Sequence, residues 1–344
     1  MPFTHELALG AKIGEGFFSD VHEGTDNVHG KVAVKVLRQL PFESANQWLT
    51  RKEALLAEAQ NLKAAEHENV VRVHALVRAE ADDRLHLVTE FCDGGSLQSA
   101  HEHGPMAISD VRTILTDVCL GLECVHTRDM IHRDIKPGNI LCSRNRFKVG
   151  DFGLVSNSLV LGYASAAGYL DHLAPEVHKS GLTSGQTDLW ALGMTIYRLL
   201  HGHAFYQERF ANIDIPQSVM NGRFALNFPW LPHIPNPWRK FIRKAMHDDT
   251  AQRFNTPFTM SQKAASLPIA PDWKCDYAAD GTTWTRMKGG RQIEVIHEIS
   301  SPRRQVWSAK SIGGTRTRTL DGVTTPVSGR EAVNGLTAFF AASN

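Results

Sequence analysis

The chain has 344 residues, enough for one large domain or two ordinary ones. Hydrophobic residues make up 42% and charged residues 21%, which allows a sizeable core, and a formal net charge of +1 sets up no global field toward nucleic acid or membrane. No apolar run is long enough to span a bilayer, and MPFTHELALG lacks a basic segment followed by an apolar one. Five cysteines (92, 119, 124, 142 and 275) form no CxxC pair, so free thiols and a cytoplasmic location are expected. Residues 9–37 predict a short β-meander, with Ile13 and Val21 flanking Gly14-Glu15-Gly16-Phe17-Phe18-Ser19. Glycines there let a turn bring backbone N–H groups close to phosphates. The next strand reads VAVKVL, and alternation sends Lys35 the same way as Ala33. Residues 43–65 carry helical periodicity, with Trp48, Leu55, Ala59 and Leu62 to one side. Residues 70–92 predict two strands, VVRVHALV and RLHLVTEF, joined by a polar turn at Glu80–Asp83. An amphipathic helix is expected over 109–127, with Ser109 as N-cap and Val111, Leu115, Val118, Leu122 and Val125 inward. Further helices follow, one opened by Thr187-Asp188-Leu189-Trp190 and others over 216–266 between proline-rich loops.

The chemistry concentrates at residues 131–139, IHRDIKPGN, with Asp151-Phe152-Gly153 twelve residues beyond Asn139. Asp134 can accept the proton of an attacking hydroxyl. Asn139 and Asp151 supply oxygen ligands of the kind hard cations such as Mg²⁺ want. Lys136 can offset charge on a transferring phosphoryl group. In order and spacing the stretch resembles the catalytic loop of eukaryotic-type (Hanks-type) serine/threonine protein kinases, and the resemblance covers residues 1–267. It implies a two-lobed α+β fold, with a β-rich N-lobe to about residue 91 and a helical C-lobe over about 94–267. It further implies ATP with Mg²⁺ or Mn²⁺ as cofactors, and transfer of the γ-phosphate to Ser or Thr of a protein substrate, with autophosphorylation. In that likeness Ile13, Gly14, Glu15 and Gly16 cover the nucleotide, although Ser19 stands where the third glycine is usual. Lys35 would hold phosphates, paired with Glu58, which lies nine residues before the turn His67-Glu68-Asn69; Glu53 is the expected surface acid. Thr89 would guard the pocket, with the backbone of Glu90 and Cys92 meeting the adenine edge between Val21, Ala33 and Leu141. Leu62, Val73, His132 and Phe152 would stack as a regulatory column.

Residues 151–176 have the length of an activation segment in that likeness, with Ser156, Ser158 and Ser165 as candidate phosphorylation sites. Arg133 would clamp a phosphorylated loop or bridge local carbonyls. Tyr169 replaces the family's usual threonine, in GYLDHLAPE, and is expected to reshape the substrate groove or plug it. Lys136 favours Ser/Thr over Tyr as acceptor. Glu176 of Ala174-Pro175-Glu176 should be buried against Arg253, and Asp188 should brace the catalytic loop, cap its helix, or do both. A pseudokinase, nucleotide-binding without transfer, is the alternative.

Leu267-Pro268-Ile269-Ala270-Pro271 reads as a boundary, with a linker at 268–271 and a small β-plus-α unit over 272–344. RQIEVIHEI alternates, placing Ile293, Val295 and Ile299 on one face. Ser328-Gly329-Arg330-Glu331 is a capping box for a last helix bearing Val333, Leu336, Phe339 and Phe340. The unit holds 10 Lys+Arg against 7 Asp+Glu, a modest +3. Trp284 and Trp307 with Arg303, Arg304, Arg316 and Arg318 offer stacking and charge for nucleic acid. Docking, self-association or regulation is the favoured expectation.

Overall fold

The computed structural model describes residues 6–16, 19–78, 84–151, 169–314 and 316–343, the side chains of Ala54, Ala57, Glu58 and Asn61 excepted. Strands β1 (Leu7–Gly16), β2 (Ser19–Asp26), β3 (Gly30–Leu37), β4 (Val73–Arg78) and β5 (Leu85–Glu90) form one antiparallel sheet in the order β1-β2-β3-β5-β4. Val32, Val34 and Val36 alternate onto one face and bury with Val88. Ala33 and Lys35 therefore point to the opposite face. Helix α1 (Ala45–Ala64) buries Trp48, Leu55, Ala59 and Leu62 as its periodicity predicts. The turn Glu80–Asp83 lies outside the described residues.

The second lobe is built on α3 (Ile108–His126), whose inward stripe from Val111 to Val125 is fully buried. Ala107 rather than Ser109 is its N-cap; Ser109 sits in the first turn and holds Asp272 instead. Gly121 faces the preceding turn so closely that a Cβ there would meet Asn69 O at 2.4 Å. That contact docks the N-lobe turn on α3, and Asn69 O also takes the N–H of Val149. Helix α2 (Leu97–His103) precedes α3 in the chain, and the hairpin β6 (Ile140–Ser143) and β7 (Arg146–Val149) turns through Arg144 and Asn145, both at positive φ. Helices α4 (Pro175–Ser180), α5 (Gly185–Phe210, broken at Gly202, φ 72°), α6 (Ile215–Met220), α7 (Asn236–Ala245) and α8 (Pro257–Ala265) complete the lobe.

Glu176 and Arg253 form the expected pair, two parallel bonds of 2.6 and 2.9 Å. Arg253 is fully buried, while Glu176 keeps 29% exposure, so the buried member is the cation rather than the carboxylate. Glu176→Ala should strand that cation and cost roughly 3 kcal/mol. Urea unfolding should show it as a lower midpoint at unchanged slope; an unchanged midpoint would refute it.

Five more antiparallel strands follow: β8 (Lys274–Ala278), β9 (Gly281–Lys288), β10 (Arg291–Ser301), β11 (Arg304–Gly313) and β12 (Arg316–Val327), in the order β12-β11-β10-β9-β8. Their inner face carries Trp284, Ile293, Val295, Trp307 and Ala309, closed by α9 (Gly329–Ala342). The Ser328–Glu331 capping box is present. The helix's apolar stripe is Ala332, Leu336 and Phe340, and Val333 is exposed. This unit is seated on the helical lobe. Trp284 Nε1 donates to His233 Nδ1 at 2.9 Å, and the Tyr277 hydroxyl donates to Glu208. The segment between them is pinned too: Trp238 Nε1 donates to Pro268 O and Arg112 to Leu267 O.

Candidate active site

A cleft of about 1000 Å³ lies between the lobes. Ile13, Gly14 and Glu15 line its roof, and Gly16 ends the same strand. Val21, Ala33 and Leu141 form apolar walls, and Thr89, Glu90 and Cys92 form the back edge. Glu90 is held from outside: its carboxylate accepts Lys148 Nζ at 2.8 Å and the Arg72 N–H at 2.7 Å, which fixes the strand at the cleft. Burial pushes the Cys92 thiol up to about 12, so it stays protonated and inert. Leu62 and Val73 also face the cleft, while Phe152 lies outside the described residues.

The floor is the catalytic-loop stretch, and its shape is imposed from below. Asp188, buried on α5, accepts the N–H groups of His132 at 2.9 Å and Arg133 at 2.8 Å, and His126 Nε2 at 2.8 Å. It lies inside the helix, past the N-cap Ser184, so it braces the loop and does not cap. Burial opposes its ionisation, but the bond and charge of His126 outweigh that and lower its pKa. The brace stabilises Arg133 at φ 68°, a strained value for a side-chain-bearing residue. Burial lowers the pKa of His132 and keeps it neutral. One ring nitrogen takes the Asp134 N–H at 3.2 Å and the other reaches Gly150 O at 3.0 Å, joining the loop to the strand before Asp151. Arg133 Nε donates to the Thr183 hydroxyl at 3.2 Å, 50 residues on in the chain rather than to a local carbonyl. Ser156, Ser158 and Ser165 lie outside the described residues.

On this support five groups converge. Asp134 Oδ2 accepts Lys136 Nζ at 2.8 Å and Asn139 Nδ2 at 2.7 Å, and Asn139 Nδ2 also reaches Asp134 O. The asparagine's donor side is thus committed, which leaves Oδ1 for a cation. Lys35 reaches across the cleft to Asp151 Oδ1. Partial burial opposes ionisation of Asp151, but Lys35 and then Lys136 outweigh it and lower its pKa. The expected partner Glu58 lies on α1, its side chain outside the described set. Asn139 Oδ1 and the Asp151 carboxylate are a hard-oxygen donor set and fit a divalent cation of the Mg²⁺ type.

Comparison with known proteins decides the family: the model of the protein kinase domain matches residues 7–264. The chain belongs to the protein kinase family. Members of that family use ATP and a divalent metal to phosphorylate protein. It is similar to a probable myosin light chain kinase of Dictyostelium discoideum, 30% identical over 71% of this chain and 70% of that one. Serine/threonine-protein kinase PrkC of Bacillus subtilis is 28% identical over 71% of the chain and 38% of its own length. Serine/threonine-protein kinase PknB of Mycobacterium leprae is 34% identical over 56% and 32%. The kinase therefore spans less than half the length of these two relatives. No helix among the described residues is long and apolar enough to cross a membrane.

Proposed function

We propose that the chain transfers the γ-phosphate of ATP, with Mg²⁺, to serine or threonine hydroxyls of a protein substrate. The carrying observation is the Asp134 carboxylate held between Lys136 and Asn139 at the floor of a nucleotide-sized cleft. Asp134 orients the acceptor hydroxyl and takes its proton as the oxygen attacks phosphorus. Lys136 steadies the charge on the phosphoryl group, and its presence supports a Ser/Thr acceptor over Tyr. Mg²⁺, held by Asn139 and Asp151, would offset phosphate charge when bound. Lys35, paired in this reading with Glu58 of α1, orients the phosphates beneath Gly14 and Gly16. The walls Val21, Ala33 and Leu141 sandwich the base, and backbone groups of Glu90 and Cys92 read its edge.

For the unit after residue 271 a docking or regulatory role is better supported than nucleic-acid binding. Trp284 and Trp307, the stacking candidates, are 1% and 4% exposed and have no free face to offer a base.

The test is incubation with γ-labelled ATP and Mg²⁺, followed by acid hydrolysis and phosphoamino acid separation. Label on serine or threonine, abolished by EDTA and restored by Mg²⁺, is expected. Label on tyrosine alone, or ATP binding without any transfer, would overturn the proposal.

A further inference from the structure

Tyr169 stands between the catalytic loop and α2. Its ring faces Lys136 Nζ, 4.8 Å from the centroid. Its hydroxyl donates to Gln98 Oε1 at 3.1 Å, and Gln98 Nε2 is anchored on Glu102 at 2.8 Å. Burial pushes the phenol's pKa up, so it remains a donor. Behind it, Arg198 lies 5.2 Å from the ring centre and His172 meets the ring edge-on at 5.4 Å. Both are fixed on the buried carboxylate of Asp171, which also takes the Tyr206 hydroxyl at 2.7 Å. The ring is therefore gripped on three sides. A lysine ammonium, by contrast, is a point charge on a four-carbon stem with many rotamers. An aromatic face over that charge narrows its choices, as a cation–π contact of this geometry does.

We propose that Tyr169 is a positioning residue: its ring holds the Lys136 ammonium on Asp134, and Gln98 and Asp171 hold the ring. The inference rests on the proposed function, in which Lys136 steadies the transferring group. The phenylalanine variant keeps the ring and loses only the Gln98 bond, whereas alanine and threonine remove the ring.

The experiment combines steady-state kinetics on the full chain with NMR of the lysine ε-methylene groups, the Lys136 signal being assigned by its loss in Lys136→Met. Wild type and Tyr169→Phe should show Lys136 shifted upfield by the ring current; Tyr169→Ala should not. The kcat should fall about tenfold in Tyr169→Ala and Tyr169→Thr and less than threefold in Tyr169→Phe, with KM for ATP unchanged. An unshifted Lys136 signal in wild type would overturn the proposal whatever the activity. So would equal losses in the phenylalanine and alanine variants, or a gain of activity in Tyr169→Ala, which would make the tyrosine a plug. A shifted Lys136 signal in wild type that transfers no phosphate would defeat the proposed function and leave the positioning of Lys136 standing.

Discussion

Asp134→Asn should lower kcat by about 10³-fold while ATP affinity changes little, measured by single-turnover phosphoryl transfer beside equilibrium nucleotide binding. The carboxylate sits at the meeting point of Lys136 Nζ and Asn139 Nδ2, each within 2.8 Å. An asparagine keeps the size but can no longer take a proton, and general-base loss of this kind costs about 10²–10⁴ in rate. It also turns a shared acceptor into a group with its own donors, which disturbs Lys136 and Asn139 together. Binding should survive, because the apolar walls and the back edge of the cleft lie on β2, β3, β5 and β6, away from Asp134. A variant that still turns over within tenfold of wild type would remove Asp134 from the chemistry.

Mild acid should destabilise the protein before its carboxylates titrate. His101, His201 and His233 are buried in the helical lobe, and burial lowers each pKa to about 3. Their charged neighbours act in the same direction: Arg198 and His203 for His101, Arg239 for His201, His201 and Arg239 for His233. In the unfolded chain these imidazoles protonate near pH 6.5. Between those values the unfolded state binds more protons, so stability is complete above about pH 6.5 and falls as pH drops toward 3. Each histidine accounts for about 1.4 kcal/mol per pH unit, or roughly 2 kcal/mol by pH 5. Three together amount to about 6 kcal/mol, against a total that for natural domains is about 5–15 kcal/mol. Urea midpoints measured from pH 7.5 to 5 should therefore fall steeply, and a flat profile would show that these residues are solvated.

The cleft was legible because its chemistry lies in short stretches. IHRDIKPGN and the aspartate beyond it place four of the five converging groups within 21 residues of chain, and strand alternation alone aims Lys35 at them. Helix α1 was legible for a similar reason, since Trp48, Leu55, Ala59 and Leu62 repeat at helical spacing. The supports were less so. Lys148 steadies Glu90 from 58 residues away, and Gln98 reaches Tyr169 across 71. Nothing periodic announces such pairs, because a single side-chain bond leaves no repeat in the sequence. The last helix shows the limit of stripe reading: an apolar residue at 333 invites burial, but the rotation set by Leu336 and Phe340 turns Ala332 inward and Val333 to water.

The seating of the final sheet has a consequence for how the molecule comes apart. Phe340 lies against His233, Trp273 and Trp284 at once, Tyr277 packs on Phe205, and the aromatic carbocycles among them, Phe205, Trp273, Tyr277, Trp284 and Phe340, join the same continuous apolar cluster as α3 and α5. A module tied on by a loose linker can open alone; one that shares a core with its neighbour cannot, because opening it exposes that core. The thermodynamic unit is then larger than the kinase fold. Heat or denaturant should then meet a single cooperative transition spanning both halves, and a lesion in either should lower the stability of the other.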